Sequence, residues 1–207
     1  ENAPLGMERL AELSAARATP EKLSDLAARL HPLILAKATT NELNRIMAVD
    51  EDLLAAQTQE SGRSVMRGIL LDLAFCAERY DRMITLLESD PRQEDAQRQS
   101  AMVAKIKAHQ ALKEGRKQDA VREFRLFMDY IREHGADQRD PVKMTLIPRE
   151  SILGMNAKRI GDILASAGEP DGARKAYDEA REYYRAALAR FGENSEDWKR
   201  VQEELNQ

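Results

Sequence analysis

A chain of 207 residues that is 43% hydrophobic is long enough to bury a sizeable core and too apolar for wholesale disorder. Ala, Glu, Lys, Leu and Arg number 106, whereas Val, Ile and Thr number 22, so the composition favours long helices and denies a sheet its usual material. A net charge of −4 argues against a general nucleic-acid binder, and the single cysteine, Cys76, excludes an internal disulfide and any cysteine-rich metal site.

The start Glu1-Asn2-Ala3-Pro4 suits a cut after a signal peptide and points to an exported or periplasmic bacterial protein. A cytoplasmic protein cut at an arbitrary boundary would begin the same way. No apolar run approaches the ~18 residues of a membrane span.

Residues 5–17 read as a short helix. Thr19-Pro20-Glu21 restarts the chain with a cap, a proline suited to the first helical position and an acid at the positive helix end. His31, before Pro32, marks a break or kink. Thr40 caps a helix over 41–49, and Asp50 caps the next segment, which carries Leu53 and Leu54. Residues 63–77 are helical, with Val65, Ile69 and Leu73 as the stripe. Cys76 follows Leu70, Leu71, Leu73, Ala74 and Phe75 and reads as a small core residue.

Residues 81–88 form a short helix. Asp90-Pro91 opens a long one that ends at Gly115, and its partner over 117–133 ends at Gly135. Residues 135–150, with Pro141 and Pro148, are an irregular exposed loop. Helix 151–167 ends at Gly168, helix 170–191 at Gly192. A last helix, 195–206, offers Trp198, Val201 and Leu205 as a narrow stripe that suits a capping element. All the aromatic residues lie after position 74, so the first part of the chain must pack with Leu, Ile, Met and Ala.

The second half repeats. Seven residues before Gly115 and Gly168 stand Ala108 and Gly161; five after them stand Ala120 and Ala173; four further on stand Phe124 and Tyr177, with Ala180 three beyond Tyr177. A small residue lets two helices approach, the glycine closes the turn, and the aromatic fills the gap to the next unit. This pattern resembles the tetratricopeptide repeat (TPR), a helix–turn–helix unit of about 34 residues. It is specific over roughly 101–134 and 154–187. A third unit near 64–90 is degenerate, with Glu78 in place of the glycine, Met83 of the alanine and Leu87 of the aromatic. The two good copies are 53 residues apart, and the 135–150 segment supplies most of the excess. The expected fold is therefore all-α: helix pairs over 1–62 with no clear repeat, then TPR-like pairs over 63–207 stacked as an α-solenoid, with an insertion at 135–150 and a cap at 193–207.

The resemblance implies a partner-binding concave face lined by the first helix of each unit. That face carries Lys105, Ile106, His109 and Lys113, then Lys158, Arg159 and Asp162, and its basic excess suits the carboxylates of a protein or peptide. Of the positions of the family's carboxylate clamp only Arg159 matches, with Ile106 and Gly68 standing where polar residues belong.

No phosphate-binding glycine loop is present, and Gly154, Gly161 and Gly168 at intervals of seven suit close helix packing instead. His31, His109 and His134 are scattered and make no helix-borne metal pair. Neither Ser151 nor Ser166 sits in a nucleophile motif. These features predict a non-enzymatic protein- or peptide-binding scaffold with no cofactor, no metal and no nucleic-acid partner. The alternatives are a ligand- or peptide-sensing module of a larger protein, and an all-α enzyme or carrier with an internal cavity, for which His109 and Asp72 are the only hints.

Overall fold

The computed structural model describes residues 19–89, 96–139, 146–191, 198–199 and 201–203. The sequence expectations that fall elsewhere lie outside the described residues: the helix over 5–17, the Asp90-Pro91 start, the centre of the 135–150 segment, Gly192 and Leu205. The described chain is all-helical apart from one very short ladder. Its helices are α1 (Pro20–Lys37), α2 (Thr40–Ala56), α3 (Glu60–Cys76), α4 (Tyr80–Glu88), α5 (Ala96–Lys113), α6 (Lys117–His134), α7 (Arg149–Ser166) and α8 (Pro170–Leu188). Trp198 and Lys199, and then 201–203, are helical too. None of the described helices is long and apolar enough to cross a membrane.

The chain divides into two compact units, Glu1–Pro91 and Arg92–Gln207. Helix α3, which runs through residue 62, and helix α4 belong to the first of them.

In the N-terminal unit α3 packs against α1, α2 and α4. Helix α1 runs through Pro32, so the break expected at His31 does not occur. Ala27 and Ile34 are buried on either side of the proline, and that packing offsets the hydrogen bond it removes. Helix α2 starts from Thr39, one residue before the expected cap. The Thr39 amide donates to Glu42 Oε2 (2.7 Å) and the Glu42 amide to Thr39 Oγ1 (3.4 Å), a reciprocal capping box. Asp50, expected to begin a segment, lies inside α2 on the stripe Leu43, Ile46, Met47, Asp50 and Leu53, and is 1% exposed. The buried stripe of α3 is Met66, Ile69, Leu70, Leu73 and Ala74. It leaves Val65, Phe75 and Cys76 outside: Phe75 is 47% exposed and Cys76 is exposed, not a core residue.

In the C-terminal unit α5 packs on α6, α6 on α7, and α7 on α8. The small residues Ala101, Ala108, Ala120, Ala157, Ala173, Ala176 and Ala180 share one core with Phe124, Phe127, Ile160 and Tyr184. A Cβ on Gly161 would lie 2.5 Å from the Tyr177 ring, and one on Gly154 2.9 Å from the Tyr184 ring, so both glycines leave room for a tyrosine ring against α7. Val201 enters the same core, while Trp198 is half-buried. The segment expected as an irregular loop contains an antiparallel ladder, Gln138–Arg139 with Leu146–Ile147, and α7 begins at Arg149 behind a buried Pro148.

Three turns share one geometry. Glu78, Gly115 and Gly168 have φ of 53°, 74° and 78°. The next amide in each reaches back five residues: Arg79 to the Ala74 carbonyl (2.7 Å), Arg116 to Ala111 (2.8 Å) and Glu169 to Leu164 (3.0 Å). This satisfies carbonyls that the helix end leaves open. The turn between α3 and α4 therefore matches those after α5 and α7, with a glutamate held in a backbone region that favours glycine.

Candidate functional site

Helix α5 buries Ala101, Ala104, Ala108 and Ala111. These short side chains bring its backbone close to α6, so the long side chains beside them lie along the flank of the helix, against the aromatic residues of α6. Lys105 Nζ sits 5.2 Å from the centre of the Phe127 ring. His109 meets Phe124 edge-on at 5.4 Å between ring centres. From α7, the Arg159 guanidinium lies 5.6 Å from the Phe124 ring centre, with Nη1 3.4 Å from His109 Nε2.

Lys105 and Arg159 open into a groove of about 740 Å³. Its walls are Arg98, Met102 and Lys105 of α5, Phe127, Tyr130, Ile131 and His134 of α6, Gly135–Gln138 and Ile147 of the ladder segment, and Ile152, Met155, Asn156 and Arg159 of α7. The groove is positive at one end. Burial, and secondarily the charge of Arg159, pulls the Lys105 ammonium below its usual range. Burial first, then Arg159 and Lys105, pushes His109 down to about 4, so its imidazole is neutral at pH 7. Asn156 is buried and donates its amide to the Ile152 carbonyl (2.7 Å), which leaves its own carbonyl oxygen as an acceptor.

The ladder wall is pinned by charge. Arg190 pairs with Asp137 through Nη1 and Nη2 and with Glu150 at 2.7 Å, and the Arg149 amide donates to Asp137 Oδ1 at 3.0 Å. These bonds hold the Asp137 carboxyl below its ordinary range. Among the described residues no cluster of three His, Cys, Asp or Glu side chains could hold a metal.

Of the seven residues expected on a binding face, the structure brings Lys105, His109 and Arg159 together. Ile106 is 4% exposed and belongs to the core, so it has no surface to offer a partner. Lys113 is exposed and Lys158 partly so, and neither lines the groove. Asp162 accepts the Tyr177 hydroxyl at 2.8 Å and raises that phenol above its usual range. Sequence reasoning missed Met102, Phe127 and Met155 as groove walls, and Asn156, whose signal was a polar side chain inside the run Ile152–Ala157. It also missed the ladder segment, because no hairpin dipeptide announces a pairing across 140–145.

No family model matches the chain, and no curated protein matches it in sequence.

Proposed function

We propose that the chain is a non-enzymatic TPR-like scaffold whose C-terminal unit binds a protein or peptide, with α5–α6 and α7–α8 as antiparallel pairs stacked as an α-solenoid and the stretch around Val201 as its cap. The observation that carries the reading is the groove. It is lined by α5 and α7, the first helices of the two pairs, together with α6 and the ladder segment, and joins a cationic end at Lys105 and Arg159 to apolar surface at Met102 and Met155. The repeat reading is supported by the three matching turns and by the crossed contacts of α7 and α8. Gly154 meets Tyr184 and Gly161 meets Tyr177, so positions rise on one helix as they fall on the other.

Panning a displayed random-peptide library on the full chain tests this. Peptides that compete with one another and lose binding to Met155→Lys support it. Enriched peptides indifferent to Met155→Lys, or no enrichment, would sink it. A second reading, a module that senses a small ligand, draws on the groove's size, which falls in the ~300–1,000 Å³ range of small-molecule sites. Recovery of a bound small molecule from the native protein would favour it.

A further inference from the structure

In the C-terminal unit most of the described arginines outside the groove are partnered by carboxylates. Arg116 pairs with Glu114 and Asp119, Arg125 with Glu179, Arg132 with Asp129, Arg174 with Asp171, Arg181 with Asp178 and Arg190 with Asp137. Lys105 and Arg159 differ. Among the described residues neither makes an ion pair: α5 itself carries no acid, and Asp162 of α7 accepts the Tyr177 hydroxyl. Each is held over an aromatic ring of α6 instead, and the two are close enough that the charge of Arg159 weakens the ammonium of Lys105. Asp137, the carboxylate that lines the same groove, is committed to Arg190 and to the Arg149 amide.

Two cations kept side by side without a counter-charge make a site that an incoming anion stabilises. The rest of the groove says what the anion is attached to. Met102 and Met155 are 36% and 42% exposed, and both stand on its walls. Exposed methionines are adaptable apolar contacts. The buried Asn156 presents one amide acceptor, which suits the N–H of an extended backbone.

We infer that Lys105 and Arg159, with His109 beside them, seat the carboxylate of an acidic side chain in a bound peptide whose adjoining large apolar side chain lies on Met102 and Met155. This deepens the peptide-binding reading and rests on it. Charge complementarity selects the acid, and the methionine walls select a peptide over a bare anion.

The test uses the full chain and three probes: N-acetyl-Glu-Phe-amide, N-acetyl-Gln-Phe-amide and inorganic phosphate. NMR follows the Arg159 side chain, the His109 ring and the methyl groups of Met102 and Met155. The glutamyl probe is expected to shift all of them and to bind about tenfold more tightly than the glutaminyl probe. Lys105→Gln and Arg159→Gln should each remove that preference while the methionine shifts persist, with circular dichroism unchanged. Equal binding of the two peptides, with methionine shifts, would overturn the carboxylate seat and leave peptide binding standing. Absence of groove shifts with either peptide would overturn both. Phosphate shifting Arg159 and His109 as strongly as the glutamyl probe, with the methionines silent to that probe, would make this a plain anion site and overturn the proposal.

Discussion

The two units use the same helix turn and fill their helix contacts in opposite ways. In the C-terminal unit a small residue meets an aromatic ring: Gly161 under Tyr177, Gly154 under Tyr184, and alanines around Phe124. In the N-terminal unit Leu, Ile and Met do the packing, the one phenylalanine points outward, and three polar side chains, Asp50, Gln57 and Arg67, are buried among them. Arg67 reaches Glu60 at 3.0 Å, but Asp50 Oδ1 has no partner. Ring-on-glycine contacts fix one helix spacing. Branched and flexible chains around a lone carboxyl fix it less sharply and leave a polar cost in place. The comparison teaches that a shared turn does not by itself make equivalent helix pairs.

The largest way to break the comparison is to empty a ring site. Tyr184 is almost fully buried, and Tyr184→Ala should cost about 3–5 kcal/mol in thermal or denaturant unfolding. Gly154→Ala should cost about 1–3 kcal/mol by overpacking, and clearly less in the Tyr184→Ala background, where no ring opposes the new methyl. Additive losses in the double variant would show that the contact is not what sets the spacing.

Next comes Asp50. Burial pushes its carboxyl up to about 7 against an ordinary value of 3.8. The folded state therefore holds a proton that the unfolded chain releases between those values. Stability is unaffected by this group below about pH 4, falls as pH rises from about 4 to 7, and is flat above. Asp50→Asn should raise stability at pH 8 by a few kcal/mol, with the gain vanishing near pH 4. A pH-independent gain, or none at pH 8, would show that the carboxyl finds a partner in solution.

The turns offer a smaller and sharper test. Glu78 holds a φ of 53° where its counterparts are glycines. Glu78→Gly should stabilise the N-terminal unit by about 1 kcal/mol, and Gly168→Ala should destabilise the C-terminal one by about as much. If both changes carried the same sign, the matching geometry of the turns would not be the controlling feature.

Much of this was legible in the residues. The helical class came from composition, and the helix ends at Gly115 and Gly168 came from glycine chemistry. The burial of Ala120 and Ala173 came from the repeat register. What misled was local chemistry overridden by packing. Asp50 has the profile of a cap, yet it lies on a stripe whose neighbours are all buried. Pro32 has the profile of a break, yet Ala27 and Ile34 hold the helix on both sides. The site was half legible. The register expected from the sequence put Lys105, His109 and Arg159 on one face, and the structure brings these three together, but it could not tell that Ile106, one residue on, turns inward. A helix rotates about 100° per residue, so a one-position choice decides between groove and core.

The smallest expected effect concerns Cys76, where sequence and structure disagree most simply. An apolar run of five neighbours made it look like core material. The run is longer than one stripe can hold, because consecutive residues on a helix cannot share a face. The stripe that wins is Met66, Ile69, Leu70, Leu73, Ala74 and then Ala77, at intervals of three and four. Position 76 falls between Leu73 and Ala77 on the sequence but off their side of the helix, beside the exposed Phe75. A surface substitution away from packed features changes stability by at most about 0.5 kcal/mol. Cys76→Ser should therefore leave the unfolding midpoint where it is, and the thiol should be alkylated by iodoacetamide in the native protein at a rate close to that in denaturant. A loss of about 1 kcal/mol or more in Cys76→Ser, or native-state protection from alkylation, would return this residue to the core and shift the register of α3 with it.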